Sequence, residues 1–212
     1  MRLLFSTIAM VCAVLLFAPA QASAQFDLGK ALGQLMSQGA HGEQDATPSP
    51  YDRLRENAPA KSKLLGTWQY KGAAIEYLGD NPLADVALEQ VETFGLAELK
   101  KLGVVEGCCS ITLRRNGLAV VATLDTIQEG RFTYDESDAS VVISSEYGGN
   151  KYSSDGYVKI VNDRLIVMVD ARDVMSEVLR TSPELATNQS VATMKTLLDS
   201  FGDVYVSVMF ER

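Results

Sequence analysis

The feature that most constrains this fold is a train of short segments rich in β-branched and aromatic residues, which begins at Gly66-Thr67-Trp68. Such segments, bounded by Gly, Pro, Asn, Asp and Ser, are typical of β-strands. The pattern predicts eight strands, at residues 64–70, 109–115, 117–124, 128–134, 140–146, 151–162, 164–170 and 203–211. The chain is therefore expected to be mainly β.

The turns between these segments predict antiparallel hairpins. Asn116-Gly117 is the strongest signal, because a type I′ turn needs positive φ at both central residues and Asn-Gly tolerates it. Gly148-Gly149 and Asn162-Asp163 are similar, and residues 135–138 predict a longer polar loop. Consecutive hairpins make a meander.

Two helical insertions are expected to interrupt the strands. The first begins at Asn81-Pro82 and ends at Gly103, with Asp85, Glu89 and Glu92 on an exposed face and Leu88, Val91, Leu99 and Leu102 on a buried one. The second runs from about 172 to 200 and breaks at Pro183. Residues 118–122 and 165–169 lack polar alternation, so both faces of these strands need cover. We expect the insertions to lie against the outer wall or to cap one end.

The N-terminal segment has the features of a cleavable export signal. Met1-Arg2 is basic, residues 3–17 are almost entirely apolar, and Ala22-Ser23-Ala24 precedes the expected cleavage near Gln25. This apolar run is too short to span a bilayer, so no membrane span is expected. Residues 25–62 are expected to form a short amphipathic helix and a flexible linker, followed by one domain at 63–212. The predicted location is periplasmic or secreted.

The charge balance argues against nucleic acid as a partner. Acidic residues number 27 against 19 Lys and Arg, and no basic run with interleaved aromatics occurs. A phosphate backbone would be repelled by this balance.

The motifs then point to a family. Gly66-Thr67-Trp68 on the first strand of a meander resembles the lipocalin and calycin group, and 66–76 with Asp80-Asn81-Pro82 resembles a lipocalin-like family of unknown function. That resemblance extends from about Leu64 to the end of the chain, and the family consists of exported proteins of Bacteroides-type bacteria. It implies an antiparallel eight-stranded lipocalin-like barrel, with helical insertions after the first strand and before the last.

Trp68 has two interpretations in such a barrel. With Gly66 it plugs the closed end, or it stacks on an apolar ligand together with Tyr70, Phe132 and Tyr134. In lipocalins a cation near the end of the chain often covers this tryptophan. Arg212 is the candidate here, and a solvated terminal arginine is the alternative.

Cys108 and Cys109 are adjacent, which leaves two hypotheses. Export favours a vicinal disulfide, whereas the spacing of neighbouring Cα atoms and the alternation of a strand favour two separately packed thiols. Neither cysteine has a recognisable activating base nearby in the sequence.

No catalytic constellation is visible. His41 is the sole histidine and lies in the linker, which excludes a Ser-His-Asp core and a multi-histidine zinc site. We expect no cofactor, no metal and no enzyme activity. The leading hypothesis is binding of a small apolar molecule inside the barrel, and the alternative is an interaction module with a filled barrel that binds an envelope protein.

Overall fold

The computed structural model describes most of the chain after residue 48. The described residues are 49–79, 81, 84, 88, 89, 92, 93, 96, 99, 100, 103–123, 126–147, 150–181, 183–187 and 189–212. The predicted export signal, the helix expected within 25–62 and most of the linker lie outside these ranges.

Eight antiparallel strands form a closed barrel in sequence order, with the last strand pairing the first. The elements are α1 Pro50–Glu56, α2 Lys61–Leu64, β1 Gly66–Tyr77, β2 Cys109–Leu113, β3 Leu118–Thr123, β4 Ile127–Asp135, β5 Ser140–Tyr147, β6 Asn150–Val161, β7 Arg164–Asp170, α3 Ala171–Thr181, a 3₁₀ turn Pro183–Thr187, α4 Gln189–Phe201 and β8 Val204–Glu211. The described positions between 84 and 100 that are helical we call the first insertion. The predicted eight-stranded antiparallel barrel is confirmed, with helices between its strands.

β1 differs from its predicted bounds of 64–70. It continues to Tyr77 because its second half pairs with β8, a long-range contact that local patterns do not reveal. Lys71 is an extra residue between the pairs Tyr70–Phe210 and Gly72–Met209. Such a bulge bends the strand and resets the alternation of its faces. Ala73, Ile75 and Tyr77 therefore face the interior in the second half.

The turn at Asn116-Gly117 is not the predicted type I′. Only Gly117 has positive φ, 78°, and its N–H donates to the Arg114 carbonyl at 3.0 Å. This is a type I turn followed by a left-handed residue, the common three-residue hairpin loop. Asn162 and Asp163, with φ of 51° and 61°, instead supply two successive positive values in the loop between β6 and β7.

The helical insertions cap one end of the barrel. Buried residues of the first insertion, α3 and α4 belong to the same apolar cluster as the inward-facing strand residues; they are Ala84, Leu88, Leu99, Ala171, Val174, Met175, Val191, Met194, Leu197 and Leu198. Of the two positions expected for the insertions, the cap is therefore the one observed.

The outer wall of β7 and β8 is covered by α1, a helix that the sequence analysis did not predict. Ser49 begins it with a capping box: its Oγ accepts the Asp52 N–H at 3.1 Å, and the Asp52 carboxylate accepts the Ser49 N–H. A second apolar cluster joins Leu54 of this helix to Ile166, Met168 and Tyr205 on the strands. The outer face of β7 is thus buried by the chain before β1, while its inner face lies in the barrel core.

Candidate functional site

Trp68 lies at the closed end of the barrel, as a plug. Its side chain is 2 % exposed, and its Nε1 donates to the carbonyl of Leu64 at 2.8 Å. That carbonyl ends α2, which lies directly before β1 in the chain. The indole therefore has its one polar group satisfied within the core.

Arg212 covers the outer side of this plug. Its guanidinium carbon lies 4.5 Å from the Trp68 ring centroid, and Nη2 donates to the carbonyls of Lys63 at 2.8 Å and Leu65 at 3.1 Å. Gly66 lies beside it with φ of 125°, a conformation that side chains with a Cβ rarely adopt. Of the two alternatives for Arg212, the structure shows the cation over the tryptophan.

The other predicted ligand contacts also pack within the barrel. Tyr70 is 3 % exposed and meets Phe210 edge to face, with ring centroids 6.2 Å apart. Phe132 is 2 % exposed, and the Lys61 ammonium lies 6.0 Å from its ring centroid. Both side chains are thus buried in the core of the barrel.

Tyr134 is half-buried beside the segment that precedes β1. Its hydroxyl donates to the Pro59 carbonyl at 2.7 Å. Burial raises the pKa of this phenol to about 12, and the nearby carboxylates Glu136, Asp138 and Asp135 add to the rise. The group is thus a protonated hydrogen-bond donor at neutral pH.

Cys108 and Cys109 are both free thiols in the structure, with Cys109 buried and Cys108 half-buried. This arrangement matches the hypothesis of two separately packed thiols. Burial raises the pKa of Cys109 to about 12, and the neighbouring Cys108 contributes to the rise. Because the thiolate is the nucleophile, the raised pKa makes Cys109 unreactive at neutral pH.

A cavity of about 130 Å³, partly open to solvent, lies at the other, capped end of the barrel. It is lined by Ile75 and Tyr77 of β1 and by Leu88, Glu89 and Glu92 of the first insertion. None of the four predicted ligand contacts, Trp68, Tyr70, Phe132 and Tyr134, belongs to this lining. The cavity and the tryptophan plug are separate features.

Glu92 is the lining residue that the sequence analysis placed wrongly. It was expected on an exposed helical face, yet it is half-buried and its Oε2 accepts the Ile75 N–H at 2.6 Å. The pairing between β1 and β2 covers Gly66 to Gln69, so the second half of β1 has no β2 partner there. β1 was predicted to end at residue 70. Its true end at Tyr77 would have indicated that the second half of the strand extends beyond its pairing with β2.

The described residues were also compared with the requirements of a membrane-spanning helix and of a metal site. None of their helices combines the length and the apolar composition that crossing a membrane requires. They also contain no group of three or more His, Cys, Asp or Glu arranged to hold a metal ion.

Comparison with known proteins gives a family. The model of the family described as Lipocalin-like domain (DUF4923) matches residues 45–212, most of the chain and the whole described barrel. No curated protein and no solved structure matches the chain. The match begins before the domain boundary at 63 expected from the sequence, and it includes α1. The chain belongs to the lipocalin-like domain family DUF4923.

Proposed function

We propose that this protein is an exported, non-enzymatic binding protein that holds a small apolar molecule at the capped end of its barrel. The observation that carries the proposal is the cavity of about 130 Å³ between β1 and the first insertion. Closed eight-stranded barrels have interiors just wide enough for side chains or for one small guest.

The size and walls of the cavity suit a guest with one ring or a short chain. Ile75, Leu88 and the ring of Tyr77 provide apolar contact surface. Its volume of about 130 Å³ would hold a guest the size of benzene, which fits an engineered cavity of roughly 150 Å³, but here two of the five lining residues are the acidic Glu89 and Glu92. A drug-sized ligand, which needs a pocket of about 300 Å³ or more, would require the first insertion to move outward.

The closed end of the barrel, in contrast to the capped end, is filled by buried side chains. Trp68, Phe132 and Phe210 are each at most 2 % exposed, and residues of the chain before β1 contact Trp68 and Phe132. A guest at that end would have to displace buried aromatic side chains. The capped end is therefore the better site.

Two parts of this proposal, export and the lack of catalysis, are supported by the sequence alone. Residues 1–24 have the charge, apolar core and small-residue pattern of a secretory signal. The chain has a single histidine, His41, outside the barrel domain, which removes the usual general base of hydrolytic triads. The corresponding location is the periplasm or the exterior of the cell.

Thermal unfolding with and without saturating toluene tests the proposal. Binding to the folded state alone raises Tm, so we expect toluene to stabilise the protein. Ile75→Trp fills the cavity and should abolish the rise, whereas Val121→Trp, an equally half-buried residue of the inner face outside the cavity lining, should keep it. Equal responses in both variants would contradict a site at Ile75.

Native mass spectrometry of the protein purified from its own host tests the same proposal without a chosen probe. A retained small-molecule mass is expected. A protein that carries no such mass but co-purifies with a second protein would instead support the interaction module.

A further inference from the structure

We infer that the cavity at the capped end selects a small amine: a protonated amino group bound by Glu92, on an apolar body held by Ile75, Leu88 and Tyr77. This inference rests on the proposed function and adds the chemical class of the ligand. It follows from where the Glu92 carboxylate lies, which group holds it in place and which residues surround it.

Glu92 is held in place by the backbone of β1. Its Oε2 accepts the Ile75 N–H at 2.6 Å, and the side chain is half-buried between the strand and the first insertion. A carboxylate has about four lone-pair sites on two oxygens, so one backbone bond leaves most of its acceptor capacity. The group is both oriented and able to accept further bonds from a ligand.

The unpaired edge of β1 explains why an acceptor is needed at this point. Ile75 pairs with Val206 of β8 on one side, while the β1–β2 pairing ends at Gln69 on the other. A neutral acceptor such as the amide oxygen of glutamine would satisfy the Ile75 N–H equally well. The negative charge is therefore more than this strand edge requires.

Glu89 adds a second negative charge to the same cavity. It is exposed and lies three residues before Glu92, so both side chains are on one side of the helix. Among the described residues, no lysine or arginine forms a salt bridge with either carboxylate. A cationic ligand in the cavity would be attracted by both carboxylates.

The remaining walls suit the rest of an amine. Tyr77 meets Phe201 edge to face, with ring centroids 6.2 Å apart, which fixes one aromatic wall. Aromatic faces attract ammonium groups as well as apolar surface. The formal net charge of the chain, −8, favours approach of cations and repels carboxylates and phosphates.

Three probes of nearly equal size test the inference by calorimetry at pH 7: benzylamine, benzyl alcohol and benzoate. We expect benzylamine to bind about tenfold more tightly than benzyl alcohol, equivalent to about 1.4 kcal/mol, and benzoate to bind more weakly than both. Equal binding of all three would overturn the amine inference while the apolar site stands. Binding of none of the probes, and no effect of toluene, would overturn both.

Glu92→Gln separates the charge from the hydrogen bond to Ile75. Its amide oxygen can still accept that N–H, so benzyl alcohol should bind as before and benzylamine should lose most of its advantage, with only the exposed Glu89 left to attract it. Glu129→Gln, on the exposed outer face of β4, is the matched control and should change neither. An unchanged preference for benzylamine in Glu92→Gln would refute the role of Glu92.

Salt dependence provides a measurement that needs no variant. Raising NaCl from about 0.05 to 0.5 M screens the ammonium–carboxylate attraction and should weaken benzylamine binding, with no loss for benzyl alcohol. The same small change for both probes would contradict recognition of the cation.

Discussion

The guanidinium of Arg212, the last residue of the chain, lies 4.5 Å from the ring centroid of Trp68 on the first strand. β1 and β8 are neighbours in the closed barrel, so the two ends of the sheet meet where this pair forms. The contact that covers the tryptophan is therefore formed by the same two strands that close the barrel.

Arg212→Ala should lower the free energy of unfolding by about 1–2 kcal/mol, because it removes a cation–π contact and two bonds to backbone carbonyls. Trp68 is the single tryptophan, so its emission should also shift to longer wavelength as water reaches the indole. Urea unfolding followed by tryptophan fluorescence measures both. Arg212→Lys keeps a cation but lacks the planar set of guanidinium donors, so its free energy of unfolding should lie between those of the wild type and Arg212→Ala. If Arg212→Ala unfolds as the wild type does, the contact contributes nothing to stability.

Gly156 should tolerate no side chain. A Cβ there would lie 2.1 Å from the carbonyl oxygen of Met168 on the neighbouring strand, and the backbone cannot yield cheaply. We expect Gly156→Ala to cost about 3 kcal/mol or more. Gly107→Ala is the control: φ is 76°, yet the added methyl meets nothing within 4 Å, so only about 1 kcal/mol of backbone strain is expected. Equal unfolding midpoints of the two variants would be incompatible with this packing.

Tyr51 fastens α1 to the turn before β8. Its hydroxyl donates to Asp203 at 2.7 Å and lies 2.6 Å from the Tyr205 hydroxyl. Tyr51→Phe should lower the free energy of unfolding by about 1–2 kcal/mol, since the buried Tyr205 and the half-buried Asp203 each lose a hydrogen-bond partner. The aromatic contacts with Tyr157 and Tyr205 are kept in this variant.

The same tyrosine predicts a dependence on alkaline pH. Burial, and then the hydrogen bonds with Tyr205 and Asp203, raise the pKa of Tyr51 far above its ordinary value. An acid whose pKa is raised on folding makes its full contribution to stability at pH values below the pKa it has in the unfolded chain, about 10 for tyrosine. This contribution is lost as pH rises further. Urea midpoints should therefore fall between about pH 9.5 and 11.5, and less steeply in Tyr51→Phe. Parallel pH profiles would contradict the assignment.

The two cysteines should differ in reactivity. In a Cys12→Ala background, Ellman's reagent at pH 8 should modify Cys108 quickly and Cys109 only on unfolding, because Cys109 is buried and its pKa is raised to about 12. Cys108→Ala should remove the fast phase. If protein prepared without reductant shows no thiol until dithiothreitol is added, the vicinal disulfide is the correct hypothesis instead.

Local signals predicted most of the fold. The strands other than the second half of β1, the polar loop at 135–138 and the break at Pro183 each depend on neighbouring residues, and each was located from the sequence. Trp68 could be assigned to the closed end because its position on the first strand resembles a family pattern. The same resemblance named Arg212 as the candidate cation over it, and the structure decides between that contact and a solvated arginine.

The capped-end cavity could not be predicted, because it depends on contacts between distant segments. The bulge at Lys71 and the second half of β1 are set by pairing with β8, which no local pattern encodes. Glu92 has the spacing of a solvated helical face, and only the unpaired N–H of Ile75 turns it toward the barrel. The cover of β7 by α1 likewise comes from a segment that had been assigned to the linker.

The most direct test of the binding site is methyl NMR on protein labelled at the isoleucine δ1 positions and titrated with toluene. Ile75 lines the cavity, while Ile111 is buried opposite Trp68 near the closed end. We predict a saturable shift of the Ile75 methyl, with contacts to toluene protons, and no change at Ile111. A shift at Ile111 with Ile75 unmoved, or no saturable shift at all, would contradict a site at the capped end.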